Sequence, residues 1–453
     1  MKLSKFHFPP ALVLVIQVLF TCVLSAAPNV IIVLTDDLGF GDIYNLHQKN
    51  RDNGAGGGVA GDRIRNGSEE AFINTPYIDR MAAEGAKLTR HYTSAPVCAP
   101  ARGSLLQGRD QGHANIRNNS FDKVISDNHT LGSVMKQAGY YTAVVGKWGV
   151  GGSAPPYAGH PNSRGFDYFY GYMEHLDGHE HYPGNGGTVY ENTTSITSGL
   201  ANAYTTDLWT AKAKSIIQDR AANHASTPFF LYLAYDAPHA KLQVPTQAYP
   251  ANLGTSGGLT WPLNTNSGTN DSYIHPDYSS LGNAAKRHAT MVRRIDTCMG
   301  DILQTLRDLN IADNTLVIFT SDNGTHDEPG AGGSVAHNPR NFDSFGILEG
   351  IKRDTWEGGI RMPTFAWWPT KIGDNNSATP GANSMRPSAF WDWMPTIVDA
   401  AGAVPPAWST GVSLLPELTT TGTQLDKGYL YFEYNVGSST PNYTEFPNHG
   451  GDT

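Results

Sequence analysis

Four short, uninterrupted apolar runs set the strongest limit on how this chain can fold: Asn29–Thr35, Tyr141–Val145, Pro228–Tyr235 and Thr315–Thr320. Runs this brief and without polar alternation suit strands buried on both faces, as in a parallel sheet covered by helices on each side. The segments between them have helical character. Thr75 to Gly85 carries a cap residue, a proline at the first helical position and a closing glycine. Leu131 to Gly139 reads as a short amphipathic helix, and about Ala284 to Leu309 as a longer one with Met291, Ile295, Met299, Ile302 and Leu306 on one side. Lys87 to Tyr92 reads as a further strand, Trp391 to Ala401 as a further helix. The expected class is α/β, a large mixed and mostly parallel central sheet flanked by helices.

Each apolar run ends in residues that carry chemistry. Asp36 and Asp37 follow the first, Lys147 the second, His239 the third, and Ser321-Asp322-Asn323-Gly324 the fourth. Open α/β sheets take their ligands at the carboxyl ends of such strands. Asp36 and Asp37 are adjacent carboxylates of the kind that a hard cation gathers, calcium ahead of magnesium. Taken singly, an Asp-Asp pair is also what a capped turn contains, and a histidine at a strand end is often structural. His175, His179 and His181 lie in a polar, aromatic loop. Their spacing alone could suggest zinc, but no cysteine partner or H-E-x-x-H pattern accompanies them, so the loop is expected to face substrate.

The most specific stretch is Cys98-Ala99-Pro100-Ala101-Arg102, followed by Gly108-Arg109. Read only as residues, it is a helix start with proline in its first turn, Cys98 as a small buried residue and Arg102 on the solvated side. Read as a pattern, C-x-P-x-R resembles the signature of the type I sulfatases of the alkaline phosphatase superfamily, whose cysteine is oxidised after translation to formylglycine. Arg164-Gly165-Phe166-Asp167-Tyr168-Phe169-Tyr170-Gly171, the Asp36-Asp37 pair, "SDNG" and Gly350-Ile351-Lys352 with Glu357-Gly358-Gly359-Ile360-Arg361 resemble further segments of that family in the same order, from about Asn29 to Tyr434.

The resemblance implies an alkaline-phosphatase-like fold and hydrolysis of a sulfate monoester, with a sulfated carbohydrate preferred over a flat aryl sulfate because the loops are polar, histidine-rich and aromatic. Cys98, as formylglycine, would hydrate to a geminal diol and attack sulfur in line. Lys147, Lys352 and Arg102 would stabilise the sulfate oxygens, and His239 or Lys352 would protonate the departing alcohol. Asp36, Asp37, Cys98, Asp322 and Asn323 would hold the cation; His179, His181 and His326 are placed at the substrate. The chain departs from the family at Ala101, where serine is usual, and at Gly149, where a histidine contacts the formylglycine hydroxyls. His179 or His181 is expected to fill the space at Gly149. Two alternatives stay open: a phosphonate or phosphodiester hydrolase on the same chassis, and a silent binding protein for sulfated glycans.

Lys2 and Lys5, the apolar run Ala11–Leu24 and Ser25-Ala26-Ala27 read as a secretory signal peptide over residues 1–26, cleaved near Ala26. The expected product is secreted or periplasmic, without a membrane span. Cys22 leaves with the signal, so Cys98 and Cys298 remain, either paired or free for chemistry. The formal charge of -9 grows more negative once Lys2 and Lys5 are removed, which argues against nucleic acid as a partner. The expected partners are a sulfated substrate and the enzyme that converts the cysteine. The resemblance implies that residues 27–420 form the catalytic domain and that 421–453, with a strand at Tyr429–Tyr434, begin a smaller antiparallel subdomain, expected to be incomplete.

Overall fold

The computed structural model describes residues 27–49, 72–120, 124–126, 129–263, 269–328, 336–372 and 382–436. The signal-peptide stretch, the glycine-rich insertion Gly54–Gly61 and the chain beyond residue 436 lie outside them. The strands are β1 (Asn29–Thr35), β2 (Ala86–Leu88), β3 (His91–Tyr92), β4 (Tyr141–Lys147), β5 (Tyr168–Tyr172), β6 (Val189–Glu191), β7 (Thr194–Ser195), β8 (Phe229–Ala234), β9 (Thr315–Ser321), β10 (Phe365–Trp367), β11 (Ala382–Ser384) and β12 (Ser388–Ala389). A 10-stranded sheet has the order β11-β2-β10-β9-β1-β8-β4-β5-β6-β7, and β12 pairs with β3 separately. Its central strands β9, β1, β8, β4 and β5 are parallel, while β10 and β6 join the two sides antiparallel.

The helices are α1 (Pro76–Glu84), α2 (Cys98–Gln107), α3 (Leu131–Gln137), α4 (Thr205–Asn223), α5 (Asn283–Asp308), α6 (Glu357–Ile360), α7 (Trp393–Ala400) and α8 (Leu415–Thr419). Ile31 and Val33 of β1 pack with Met81 of α1, Trp209 of α4 and Met291, Ile295 and Met299 of α5. Val30, Ile32 and Leu34 point the other way, against Leu105 of α2, Met135 of α3 and Trp393 and Ile397 of α7. Burial on both faces is why β1 alternates in direction but not in polarity. Each such side chain contributes about 1.5–3 kcal/mol when fully removed from water.

Three local expectations are corrected. Thr75 precedes α1 but does not cap it, because its hydroxyl accepts from the Tyr44 amide at 3.0 Å and faces Asp79 at 3.3 Å. Asp296 of α5 takes the capping role, accepting the Tyr77 and Ile78 amides at 2.9 and 2.8 Å. The stretch Lys87–Tyr92 splits into β2 and β3, which belong to different sheets, about a turn at Thr89 whose amide donates to Ser384 O. Tyr429–Tyr434 forms no strand and pairs with none among the described residues, and Phe432 instead packs its ring on Tyr92 and Trp391. None of the described helices is long and apolar enough to cross a membrane.

Candidate active site

The turns that leave β1, β8 and β9 are stitched together at one edge of the sheet. The Asp36 amide donates to Ala237 O at 3.1 Å, the Asp37 amide to Asp322 Oδ1 at 3.2 Å, and the Leu38 amide to Ser321 Oγ at 2.9 Å. Asp37 has φ 65°, a left-handed conformation uncommon outside glycine and a frequent mark of functional strain. Lys147 ends β4. The residue before it, Gly146, has φ 107°, and a β-carbon there would collide with Ala234 O, so glycine is what lets β4 close onto β8 beside the site. Cys98 is the first residue of α2 and reaches the same edge.

These elements gather a buried cluster of charges. Asp36, Asp37, Cys98 and His239 each offer a ligand atom, all within 4.8 Å of one another. The Cys98 thiol donates to Asp36 Oδ1 at 3.3 Å. Lys147 Nζ lies 2.6 Å from Asp36 Oδ2, and Lys352 Nζ 3.0 Å from Asp37 Oδ2, 3.3 Å from Glu328 Oε2 and 3.1 Å from His239 Nε2. Arg102 is fully buried, contrary to a solvated side of α2, and its guanidinium donates to Asp322 Oδ2, Asp36 Oδ2 and Lys147 O at 2.9, 3.1 and 3.0 Å. Three of its donors are thus committed to Asp322, Asp36 and the Lys147 carbonyl.

The donor set fits a hard cation. Asn323 Nδ2 donates to Asp37 Oδ1 at 2.6 Å and to Gly324 O at 2.9 Å, while its buried Oδ1 has no hydrogen-bond partner. An orphaned oxygen among carboxylates is the kind of acceptor that calcium or magnesium uses. The carboxyls themselves show the crowding. Burial, helped by Asp36 and Glu328, pushes Asp37 up to about 6 against the pull of Lys352. Burial, helped by Asp36, pushes Asp322 up to about 7 against Arg102. Asp36 is the exception: burial raises it, but Lys147, Arg102 and Lys352 outweigh that and hold it well below the usual range. A second group, Asp37, His326 and Glu328, is compact enough for a cation, but the Lys352 ammonium already bridges its two carboxylates.

Cys98 and Cys298 are both free, and Cys98 is not a thiolate nucleophile in waiting. Burial and the neighbouring Asp36 push its thiol well above the ordinary value, so as cysteine it would react poorly. His239 donates Nδ1–H to Ala240 O, which leaves Nε2 as an acceptor for Lys352. Burial and Lys352 hold the His239 ring neutral, while Asp37, against the effect of burial, holds Lys352 charged.

The expected residues Asp36, Asp37, Cys98, Arg102, Lys147, His239, Asp322, Asn323 and Lys352 thus converge on one place, and the three histidines assigned to substrate separate. His179 stacks on His239 with ring centroids 4.1 Å apart and is partly exposed. His181 is corrected to a supporting position: it is buried, with Nε2 2.9 Å from His239 O and Nδ1 3.5 Å from Asp236, which is itself bonded to Thr205 and Trp209. His326 is likewise buried, accepting the Glu328 amide on Nδ1 beneath the His239 ring. Neither His179 nor His181 fills the space at Gly149. His175 does: a β-carbon on Gly149, whose φ is 72°, would lie 3.1 Å from His175 Nδ1. Sequence reading also missed Glu328, a loop acid that only the fold carries back to Lys352.

A family model described as Sulfatase matches residues 28–403. N-acetylgalactosamine-6-sulfatase of Homo sapiens is 31% identical over 431 residues, covering 89% of this chain and 68% of that protein. Steryl-sulfatase of Rattus norvegicus is 29% identical over 426 residues, covering 83% and 67%. Among solved structures, Ps i-CgsB in complex with k-i-k-neocarrahexaose superposes with a TM-score of 0.61 at 24% identity, covering 86% of this chain and 76% of that one. A phosphonate monoester hydrolase of Agrobacterium radiobacter superposes with a TM-score of 0.55 at 19% identity, covering 91% and 81%.

Proposed function

Because the chain belongs to the sulfatase family and is thereby a sulfuric ester hydrolase, we propose that it removes sulfate from a sulfated carbohydrate, using formylglycine made from Cys98 and a calcium ion. The observation that carries this reading is the meeting of Asp36, Asp37, Asp322 and Asn323 with Cys98 at one buried point, flanked by the ammonium groups of Lys147 and Lys352. Formylglycine would supply a hydrated aldehyde as nucleophile, and the cation held by Asp36, Asp37, Asp322 and Asn323 would supply positive charge next to it.

The remaining work falls to the chain's own side chains. Lys147 and Lys352 place two ammonium charges where negative charge gathers on sulfate oxygens, in a water-poor site where such charges act strongly. Lys352 carries the proton that the leaving alcohol needs, and the neutral His239 Nε2 beside it holds the ammonium in line. Arg102 locks Asp36 and Asp322 in register. His175, against Gly149, stands for the histidine that the family has at that place and accepts the proton released when sulfate departs.

The substrate class rests on the names of relatives that act on N-acetylgalactosamine sulfate and on the polar loop that carries His175 and His179. We propose export through the signal sequence, with residues 27–420 as the catalytic domain. The test is sulfate release by the protein matured with a formylglycine-generating enzyme, screened across sulfated monosaccharides and polysaccharides, with a phosphodiester of the same alcohol alongside. Turnover of a sulfated sugar well above the phosphodiester is expected; the reverse order would assign the site to phosphoryl chemistry, and no turnover at all to a binding role.

A further inference from the structure

Lys352 works inside the site, and its neighbour Arg353 stands at the edge. Arg353 has φ 81°, a left-handed conformation that costs a long side chain energy, and its amide donates at 2.9 Å to Pro96 O, close to Cys98. The kink turns two consecutive cations apart: the Lys352 side chain is 3% exposed and that of Arg353 37%. Glu328 lies between them. Its Oε2 faces Lys352 at 3.3 Å, and its Oε1 accepts from Arg353 Nε at 3.1 Å and from Nη2.

One carboxylate is therefore divided between two cations, and Arg353 is incompletely neutralised. Burial raises Glu328, but Lys352 and Arg353 more than offset this and hold it at about 2, so its charge is constant in any working buffer. The Tyr434 hydroxyl also hydrogen-bonds the guanidinium, and leaves it partly open to solvent. Since Cys98, Lys147 and Lys352 are buried, an incoming molecule meets the partly exposed His179, Glu328 and Arg353 before it meets them.

We propose that Arg353 is a specificity residue that binds a second anionic group of the substrate, a sulfate or a carboxylate on the same or an adjoining sugar. The preferred substrate is then a saccharide with at least two negative groups. A planar guanidinium suits either anion through paired N–H donors, which an ammonium does not reproduce. The inference rests on the sulfatase reading for the ester that is cleaved, but binding tests it separately.

The probes are N-acetylgalactosamine-6-sulfate, N-acetylgalactosamine-4,6-disulfate and a 6-sulfated disaccharide that includes a uronate. Affinities are measured by titration calorimetry on the full chain with Cys98 unconverted and calcium present, and kcat/KM on the matured chain. The wild type is expected to bind at least one doubly charged probe about tenfold or more tighter than the monosulfate, the range of one charge-assisted hydrogen-bonded contact. Which probe gains identifies the second anion as sulfate or carboxylate. Arg353→Gln should remove most of that ratio and Arg353→Lys part of it, while Glu328→Gln, which releases the guanidinium, should widen it. Opposite shifts in two variants are not produced by general damage, and Glu328→Gln decides alone if Arg353→Gln fails to fold. Equal affinity for all three probes in the wild type, no binding of any, or a ratio that neither variant moves would overturn the proposal. A binding preference without turnover would instead overturn hydrolysis and leave the second-anion site standing.

Discussion

Single atoms decide most of what this site can do. Asn323 Oδ1 is the one oxygen of the cluster left without a partner, so Asn323→Ala should weaken calcium binding by at least the 10–100-fold typical of lost supporting groups around a metal, read by titration against a calcium indicator. An unchanged affinity would place the cation elsewhere. Gly149 is permissive in two ways, since its φ of 72° disfavours a side chain and a β-carbon would press on His175 Nδ1. Gly149→Ala should therefore cost about 1–2 kcal/mol of stability for the left-handed backbone and lower kcat more than it raises KM. A lower melting temperature with kcat unchanged would show that His175 only packs. The same position illustrates what the sequence could reveal. The missing histidine is visible as a glycine, but spacing along a loop does not say which ring turns inward, and so it points to His179 and His181 where the fold presents His175.

At the level of elements, the strands were legible because each is buried on both faces, and every strand-end residue singled out as a metal or catalytic group came to one edge of the sheet. What could not be read were features set by distant partners. Asp296 caps α1 from α5, Glu328 joins the site through the loop after β9, and Tyr429–Tyr434 has strand composition but pairs with no strand among the described residues. One such long-range link makes a prediction of its own. Trp393 of α7 donates its indole N–H to His91 Nε2 at 3.0 Å, so the ring proton is on Nδ1, facing Ser388 Oγ at 2.9 Å. Burial, with Lys427 adding, holds His91 down to about 3. The unfolded chain therefore takes up a proton on His91 that the folded chain refuses, and stability should fall as pH drops from the ordinary value of 6.5 toward 3. His91→Gln can keep both hydrogen bonds without titrating. Its stability between those limits should fall less steeply, by up to about 1.4 kcal/mol per pH unit, in denaturant melts; parallel slopes would contradict the assignment.

Across the whole molecule, the proposed cation would couple segments that are far apart in sequence. Without it, burial leaves Asp37 and Asp322 at about 6 and 7, above their unfolded value of 3.8. The folded chain then binds more protons than the unfolded chain between those values, so stability is lost as pH rises through the window. The stability that these two carboxyls contribute to the chelated protein should be lost between about pH 4 and pH 7, opposite in sign to the His91 effect, and calcium should raise the melting temperature most at and above pH 7, with a gain of about 2.7 kcal/mol at a hundredfold excess over Kd. A melting temperature indifferent to calcium at pH 8 would separate the cluster from any metal. In the proposed mechanism hydrolysis depends on position 98, and the most direct measurement is the mass of the peptide spanning Cys98 in active protein. Conversion of the thiol to an aldehyde, in proportion to sulfate released and with both lost in Cys98→Ala, is the expected result. Full sulfate release from protein in which Cys98 remains an unmodified thiol would contradict it.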